Sequence, residues 1–315
     1  MKYSEIAPLG ERLYRQIAKV MIGQEETIRL LLTTLLTGGH VLLEDVPGTG
    51  KTTLAKALAR SLSIPFERVQ FTPDLLPADI TGVTVYRPQT GSFEFIKGPV
   101  FTGVLLADEI NRATPRTQSA LLECMEERQV TEGGVTYPLA EPFLVIATQN
   151  PVESQGTFPL PEAQLDRFLM RLRPGYPDTE GAKALISRFL QDNPLETTEA
   201  VASGAEINEA AKLTRSCRLS DAVAAYAVAL CEVARNPDEV RLGPSPRAML
   251  ALVHAAQTRA ALSGRDYVIP DDIKALAVPV LAHRIIPRGY TETADGGAFI
   301  SRLLDTVPAP TEERA

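Results

Sequence analysis

Apolar and polar positions follow two different periods along the chain, and the change of period divides it. Up to about residue 175, short apolar runs of strand length recur between helical stretches. Val41-Leu42-Leu43, Val104-Leu105-Leu106-Ala107 and Phe143-Leu144-Val145-Ile146-Ala147 contain no polar residue, which suits strands buried on both faces. Pro65-Phe66-Glu67-Arg68-Val69-Gln70-Phe71 alternates and predicts a half-buried strand. Helical spacing fills the intervals. Leu54 to Arg60 and Gln118 to Glu127 predict helices, the second with Leu121, Leu122 and Met125 as its stripe. Residues from about Glu5 to Leu36 predict two helices broken near Ile22-Gly23-Gln24. Leu165 to Leu172 predicts a last element of this half. Strands alternating with helices imply a parallel sheet covered on both faces.

Two stretches interrupt that alternation. Val83-Thr84-Val85-Tyr86 and Ser92-Phe93-Glu94-Phe95-Ile96 flank Pro88-Gln89-Thr90-Gly91, and Gln129 to Tyr137 turns at Gly133-Gly134; both predict hairpins. After Pro174-Gly175-Tyr176-Pro177 the strand-like runs stop and Ala/Leu helical spacing takes over. Residues 1–175 are thus expected to form an α/β domain and residues 176–315 an all-helical one. Its strongest helices are Ala222 to Ala234 and Pro246 to Leu262. Asn193 to Glu206 predicts a loop leading into a helix, and Pro308 to Ala315 a frayed end.

Composition narrows the class without naming a chemistry. A chain of 315 residues with 44% hydrophobic residues can bury one large core or two ordinary ones. The net charge of −7, with no consecutive run of lysines and arginines, argues against nucleic acid as the main ligand. No apolar run reaches membrane-spanning length and the first residues lack a signal-peptide core, so a cytoplasmic protein without membrane insertion is expected. Cys124, Cys217 and Cys231 form no Cys-x-x-Cys pair, and His40, His254 and His283 are scattered; neither a disulfide framework nor a zinc site is suggested.

The chemistry enters at Asp45-Val46-Pro47-Gly48-Thr49-Gly50-Lys51-Thr52-Thr53, between the first apolar run and a predicted helix. A strand, a glycine loop and a helix N-terminus form a phosphate cradle. Gly48 and Gly50 let several N–H groups turn onto one anion, and the helix end adds partial positive charge. Lys51 can reach the β- and γ-phosphates and the Thr52 hydroxyl can hold Mg²⁺. Asp45 stands where the strict motif has glycine. Asp108-Glu109 closes the Val104 strand, at the end where open α/β sheets bind ligands. Asp108 can hold Mg²⁺ and Glu109 can deprotonate an attacking water. Asn150, closing the next strand, can hydrogen-bond phosphate and water without repelling either. A nucleic-acid or magnesium-chelatase-like motor and a P-loop kinase with a small acceptor both stay open as readings.

Leu105-Leu106-Ala107-Asp108-Glu109-Ile110-Asn111-Arg112-Ala113, Ala147-Thr148-Gln149-Asn150-Pro151 and Leu160-Pro161-Glu162-Ala163-Gln164-Leu165-Asp166-Arg167-Phe168 resemble the MoxR family of AAA+ ATPases. So do Gln118-Ser119-Ala120-Leu121-Leu122-Glu123 and Glu126-Glu127-Arg128-Gln129-Val130. The resemblance implies an AAA+ P-loop NTPase: a parallel five-stranded sheet core and a C-terminal all-helical lid. It implies Lys51 and Thr52 as Walker A, Asp108 and Glu109 as Walker B, and Asn150 as sensor 1. Arg167 matches the finger offered to a neighbouring subunit, Arg247 in Ser245-Pro246-Arg247 matches sensor 2, and Ile22-Gly23 borders the adenine. The guanidinium fork suits phosphate oxygens; one arginine is expected to report on the neighbour and the other on lid closure. The two hairpins match inserts that face the channel in related rings. ATP with Mg²⁺, a homo-oligomeric hexameric ring, a chaperone-like action on client protein complexes and a von Willebrand factor A (VWA) domain partner are what such a family implies.

Overall fold

The structure, a computed structural model, describes residues 1–44, 48–150, 156–190, 194–288 and 296–310. Asp45, Val46, Pro47, Pro151, Asn193 and the last five residues lie outside the described residues. Helices α1 (Ile6–Ala18) and α2 (Glu25–Thr37) flank the predicted break. The chain continues through β1 (Val41–Glu44), α3 (Lys51–Ser61), β2 (Phe66–Gln70), α4 (Pro77–Thr81) and the hairpin of β3 (Gly82–Arg87) and β4 (Ser92–Lys97). Next come β5 (Val104–Asp108), α5 (Pro115–Glu127), the hairpin of β6 (Gln129–Glu132) and β7 (Val135–Pro138), and β8 (Leu144–Gln149). A short α6 (Glu162–Leu165) and β9 (Met170–Leu172) complete this half, so the element predicted over 165–172 divides into a helix end, a turn and a strand.

β1, β2, β5, β8 and β9 form one parallel sheet in the order β2–β5–β8–β1–β9. The unbroken apolar runs have their physical cause here. Leu43, Leu106 and Ile146 point to one face, where they meet α1–α3, while Leu42, Leu105 and Val145 point to the other, toward α5. All six are fully buried, and each contributes about 1.5–3 kcal/mol by leaving water. β8 lies between β1 and β5, with Leu43 level with Thr148 and Ala107 level with Ala147. The C-terminal ends of these three strands therefore lie side by side.

The remaining chain is mainly helical: α7 (Thr179–Phe189), α8 (Gly204–Thr214), α9 (Asp221–Val233), α10 (Pro246–Leu262), α11 (Pro270–Leu281) and α12 (Gly296–Thr306). Ser203, Ser220 and Ser245 cap α8, α9 and α10 by accepting the N–H of Glu206, Val223 and Ala248, each cap being worth about 1 kcal/mol. One feature departs from an all-helical expectation. β10 (Val240–Leu242) pairs antiparallel with β11 (Ile286–Pro287), tying the turn after α9 to the turn after α11. α1 packs on α3 and α10, and α2 on α8 and α10. One apolar cluster thus runs from the sheet through the N-terminal helices into the helical half. No helix among the described residues is long and apolar enough to cross a membrane.

Candidate functional site

The glycine turn at residues 48–50, the candidate phosphate loop, lies at the edge where the strands end. Gly48 and Gly50 stand at φ 88° and 86°, a backbone that side chains resist. α3 starts at Lys51, and among the described residues no side chain caps it. A Cβ on Gly48 would meet nothing within 4 Å, whereas one on Gly50 would stand 3.4 Å from the Met21 methyl. An open glycine cradle at a helix N-terminus fits a triphosphate. Thr49, Lys51, Thr52 and Thr53 follow in the same turn; Pro47 falls outside the described residues. Ile22 and Gly23 lie just beyond Met21. A Cβ on Gly23 would approach that of Pro177 to 3.2 Å, and Gln24 Nε2 donates to the Gly175 carbonyl at 3.1 Å. The predicted adenine border thus sits between the phosphate loop and the start of α7. A cavity of about 450 Å³ opens beside Gly23 and Gln24, lined also by Arg171, Arg173 and Pro279, but it does not reach Lys51 or Asp108.

Two strands across, Asp108 and Glu109 leave β5 at the same edge. Thr148 on β8 serves both: its hydroxyl donates to Asp108 Oδ1 at 2.6 Å and accepts the Glu109 N–H at 2.8 Å. Glu109 is held at φ 56°, ψ 51°, a left-handed backbone that costs a non-glycine residue about 1–3 kcal/mol and that concentrates at functional sites. Arg68 Nη2 donates to Asp108 Oδ2 at 2.6 Å. Gln70 Nε2 and Arg112 Nη1 donate to Glu109 Oε2 at 2.7 and 3.1 Å. Asn150, 7% exposed, follows β8 and so stands between the phosphate loop and these two acids. Among the described residues no cluster of three metal-binding side chains exists. Mg²⁺ suits this chemistry because it takes one or two protein oxygens and fills its shell with water and phosphate; Thr52 and Asp108 supply such oxygens.

Arg167 and Arg247 are elsewhere. Arg167 Nε and Arg247 Nη1 clasp the two oxygens of one carboxylate, Glu126, at 3.0 and 2.8 Å. Glu126 lies in the last turn of α5, at the edge where the strands begin. Its neighbour Met125 offers its carbonyl to His40 Nε2 at 3.1 Å, and the Leu169 N–H donates to the His40 carbonyl at 2.8 Å; His40 directly precedes β1. A four-residue strand, about 13 Å long, therefore separates this cluster from the chain's own phosphate loop. The sequence puts Arg167 in the sheet domain and Arg247 in the helical one, with one expected to report on the neighbour and the other on lid closure. The structure brings them onto one surface, because α10 lays its N-terminus beside the turn after α6: Ser245 Oγ donates to Asp166 Oδ2 at 3.4 Å. Partly exposed ion pairs of this kind contribute about 0–1 kcal/mol, so Glu126 orients both guanidiniums without locking them.

Burial fixes the two histidines that flank this edge as neutral. Val145 N–H donates to His40 Nδ1 at 3.0 Å, and burial first, then the Arg128 charge, pulls His40 down to about 3. His283 Nε2–H donates to the Phe168 carbonyl at 3.0 Å, and burial with the Arg284 charge holds it well below its ordinary value. Sequence reasoning did not single out Thr148, Arg68, Gln70 or Glu126. Thr148 and Glu126 lie inside the family-like stretches, where their spacing from Asn150 and Arg128 carried a signal. Arg68 and Gln70 end an alternating strand, and nothing but the pairing of β2 with β5 puts them beside the acids.

Comparison with known proteins agrees with the fold. The model for the "ATPase family associated with various cellular activities (AAA)" matches residues 40–170, and the model for the "AAA lid domain" matches 233–302. A Bacillus subtilis protein named YeaC is 46% identical, covering 100% of this chain and 99% of its own. Chaperone MoxR1 of Mycobacterium tuberculosis is 40% identical over 95% of this chain and 82% of its own, and Protein MoxR of Paracoccus denitrificans is 38% identical over 92% and 93%. A solved structure from Cytophaga hutchinsonii superposes with a TM-score of 0.90 at 39% identity, covering 98% of this chain and 97% of that one. By its sheet, its helical lid and its relatives, this chain belongs to the MoxR family of AAA+ ATPases.

Proposed function

We propose that the protein binds ATP with Mg²⁺ at the Gly48–Thr53 cradle and hydrolyses it in sites shared between adjacent copies of a homo-oligomeric ring, six copies by family resemblance. The observation that carries this reading is the separation of the two half-sites. Lys51, Asp108, Glu109 and Asn150 gather at one edge of the sheet, and Arg167 with Arg247 at the other. Two guanidiniums that cannot reach their own chain's phosphates are suited to the phosphates of the next chain.

When bound, Mg²⁺ neutralises charge developing on the transferred phosphoryl group. Lys51 and the α3 N-terminus hold the phosphate oxygens, and Thr52 and Asp108 hold the cation. Glu109 takes the proton of the attacking water at a carboxylate oxygen, while Gln70 and Arg112 hold Oε2. Asn150 orients water against the γ-phosphate, and Thr148 keeps both acids in register. Ile22 and Gly23 flank the base.

The output is remodelling of client protein complexes in the cytoplasm, with a VWA-domain protein as partner. The chaperone-like action is supported by the name of a 40%-identical relative, Chaperone MoxR1; the partner rests on family resemblance. The β3–β4 hairpin is suited to a protein client. Tyr86 and Phe93 at its tip are 55% and 74% exposed, with ring centroids 5.3 Å apart. Phe95 stacks on Tyr137 of the other hairpin at 4.4 Å, so the two inserts can move together. The test is Glu109→Gln: ATP binding persists while phosphate release falls by about a hundredfold or more. Normal turnover in that variant would remove Glu109 from the role of base.

A further inference from the structure

Arg284 is nearly sealed from solvent, 5% exposed, on the turn that follows α11. Its guanidinium has five N–H donors, and five acceptors meet them. Nε donates to Asp166 Oδ1 at 2.6 Å, Nη2 to the carbonyls of Asp166 and Phe168 at 3.0 and 2.7 Å, and Nη1 to the carbonyl of Leu169 at 3.3 Å and to that of Val280. Four of the five acceptors belong to the short arc that carries Arg167. His283 adds a second donor to the Phe168 carbonyl. The arc is thus moulded around a side chain of the helical half, although it belongs to the sheet half.

We propose that Arg284 is a positioning residue for Arg167: it sets the aim of the guanidinium that this chain offers to a neighbouring copy, and it makes that aim follow the helical lid. The inference rests on the shared-site reading given above. Nothing of Arg284 faces the chain's own phosphate loop, so its loss harms the donated half-site and spares the accepting one. A lysine cannot replace it, because an ammonium presents three donors from one point and cannot reach carbonyls on both sides of the arc. The lid contacts the Gly23 border at one end and the Arg167 arc at the other, which gives a chain's own nucleotide a route to the neighbour's chemistry.

The experiment uses full-length Arg284→Lys, alone and in equal mixtures, with melting temperature and ATP binding measured alongside turnover. ATP binding stays within about twofold, and turnover falls about ten- to hundredfold, as a displacement near 1 Å produces. Mixing with Lys51→Ala restores activity, because that partner supplies sound fingers; mixing with Arg167→Ala does not. Turnover like the unaltered protein, recovery with Arg167→Ala, or recovery with neither would overturn the proposal, provided Lys51→Ala and Arg167→Ala restore each other. If those two fail to do so, the shared-site reading falls and this inference with it. Should Arg284→Lys not fold, Asp166→Asn, which keeps an acceptor for Nε, gives the same mixing pattern with a smaller loss. Failure of both to fold would make Arg284 a folding residue and end the proposal.

Discussion

The two edges of the sheet are built on opposite principles. At the edge where strands end, backbone does much of the work: glycines at positive φ, a helix N-terminus and a strained Glu109 converge on a small volume. Where strands begin, long side chains do it, with Arg167 and Arg247 steered by Glu126 and by a turn gripped from the lid. In the proposed function the first edge is an acceptor for phosphate and metal and the second a donor of positive charge. A single chain holds both clusters about a strand length apart, and on the reading proposed above each is completed by another copy.

That contrast can be broken most forcefully at the donor edge. Arg167→Ala is expected to bind ATP normally and to lose about a thousandfold in turnover; a loss of ATP affinity instead would place Arg167 at its own chain's loop. Thr148→Val strikes the acceptor edge, removing the hydroxyl that ties Asp108 to Glu109. Turnover there falls about a hundredfold, rescued in mixtures by Lys51-intact Arg167→Ala and not by Lys51→Ala. Arg247→Ala is expected to cost about tenfold and to complement Lys51→Ala as Arg167→Ala does; behaviour as an acceptor-edge variant would return it to its own lid. The smallest effect is on stability. His40 and His283 have folded values depressed below the ordinary histidine value, so the folded protein binds fewer protons than the unfolded one. Their contribution is complete above pH ~6.5 and declines below it by about 1.4 kcal/mol per pH unit for each ring. Urea titrations at pH 7 and 5.5 measure the fall, and His40→Gln flattens part of it.

The acceptor edge was legible in the sequence because its parts are local. Gly48 to Thr53 is one turn, Asp108-Glu109 one dipeptide, and the apolar runs before them announce buried strands. At the other edge Arg167 and Arg247 were legible as candidates, but their shared place beside Glu126 was not. Arg167 and Arg247 are eighty residues apart, and no periodicity tells that α10 delivers one beside the other. Arg284 was silent altogether: a buried arginine after an Ala/Leu helix reads as ordinary polar punctuation until its five acceptors are seen. The hairpins were found from alternation alone, but the stacking of Phe95 on Tyr137 needed the third dimension. The division near residue 175 follows a real change of texture, yet α1 packs on both α3 and α10, and α2 on α8 and α10.

The direct measurement is phosphate release from equal mixtures of Lys51→Ala and Arg167→Ala, with co-assembly verified. Each variant alone is inactive, and random assembly leaves about a quarter of the junctions with a sound cradle facing a sound finger. Activity well above either variant alone is the predicted result. Mixed assemblies that stay as inactive as their components would show that each chain completes its own site, and would contradict the account.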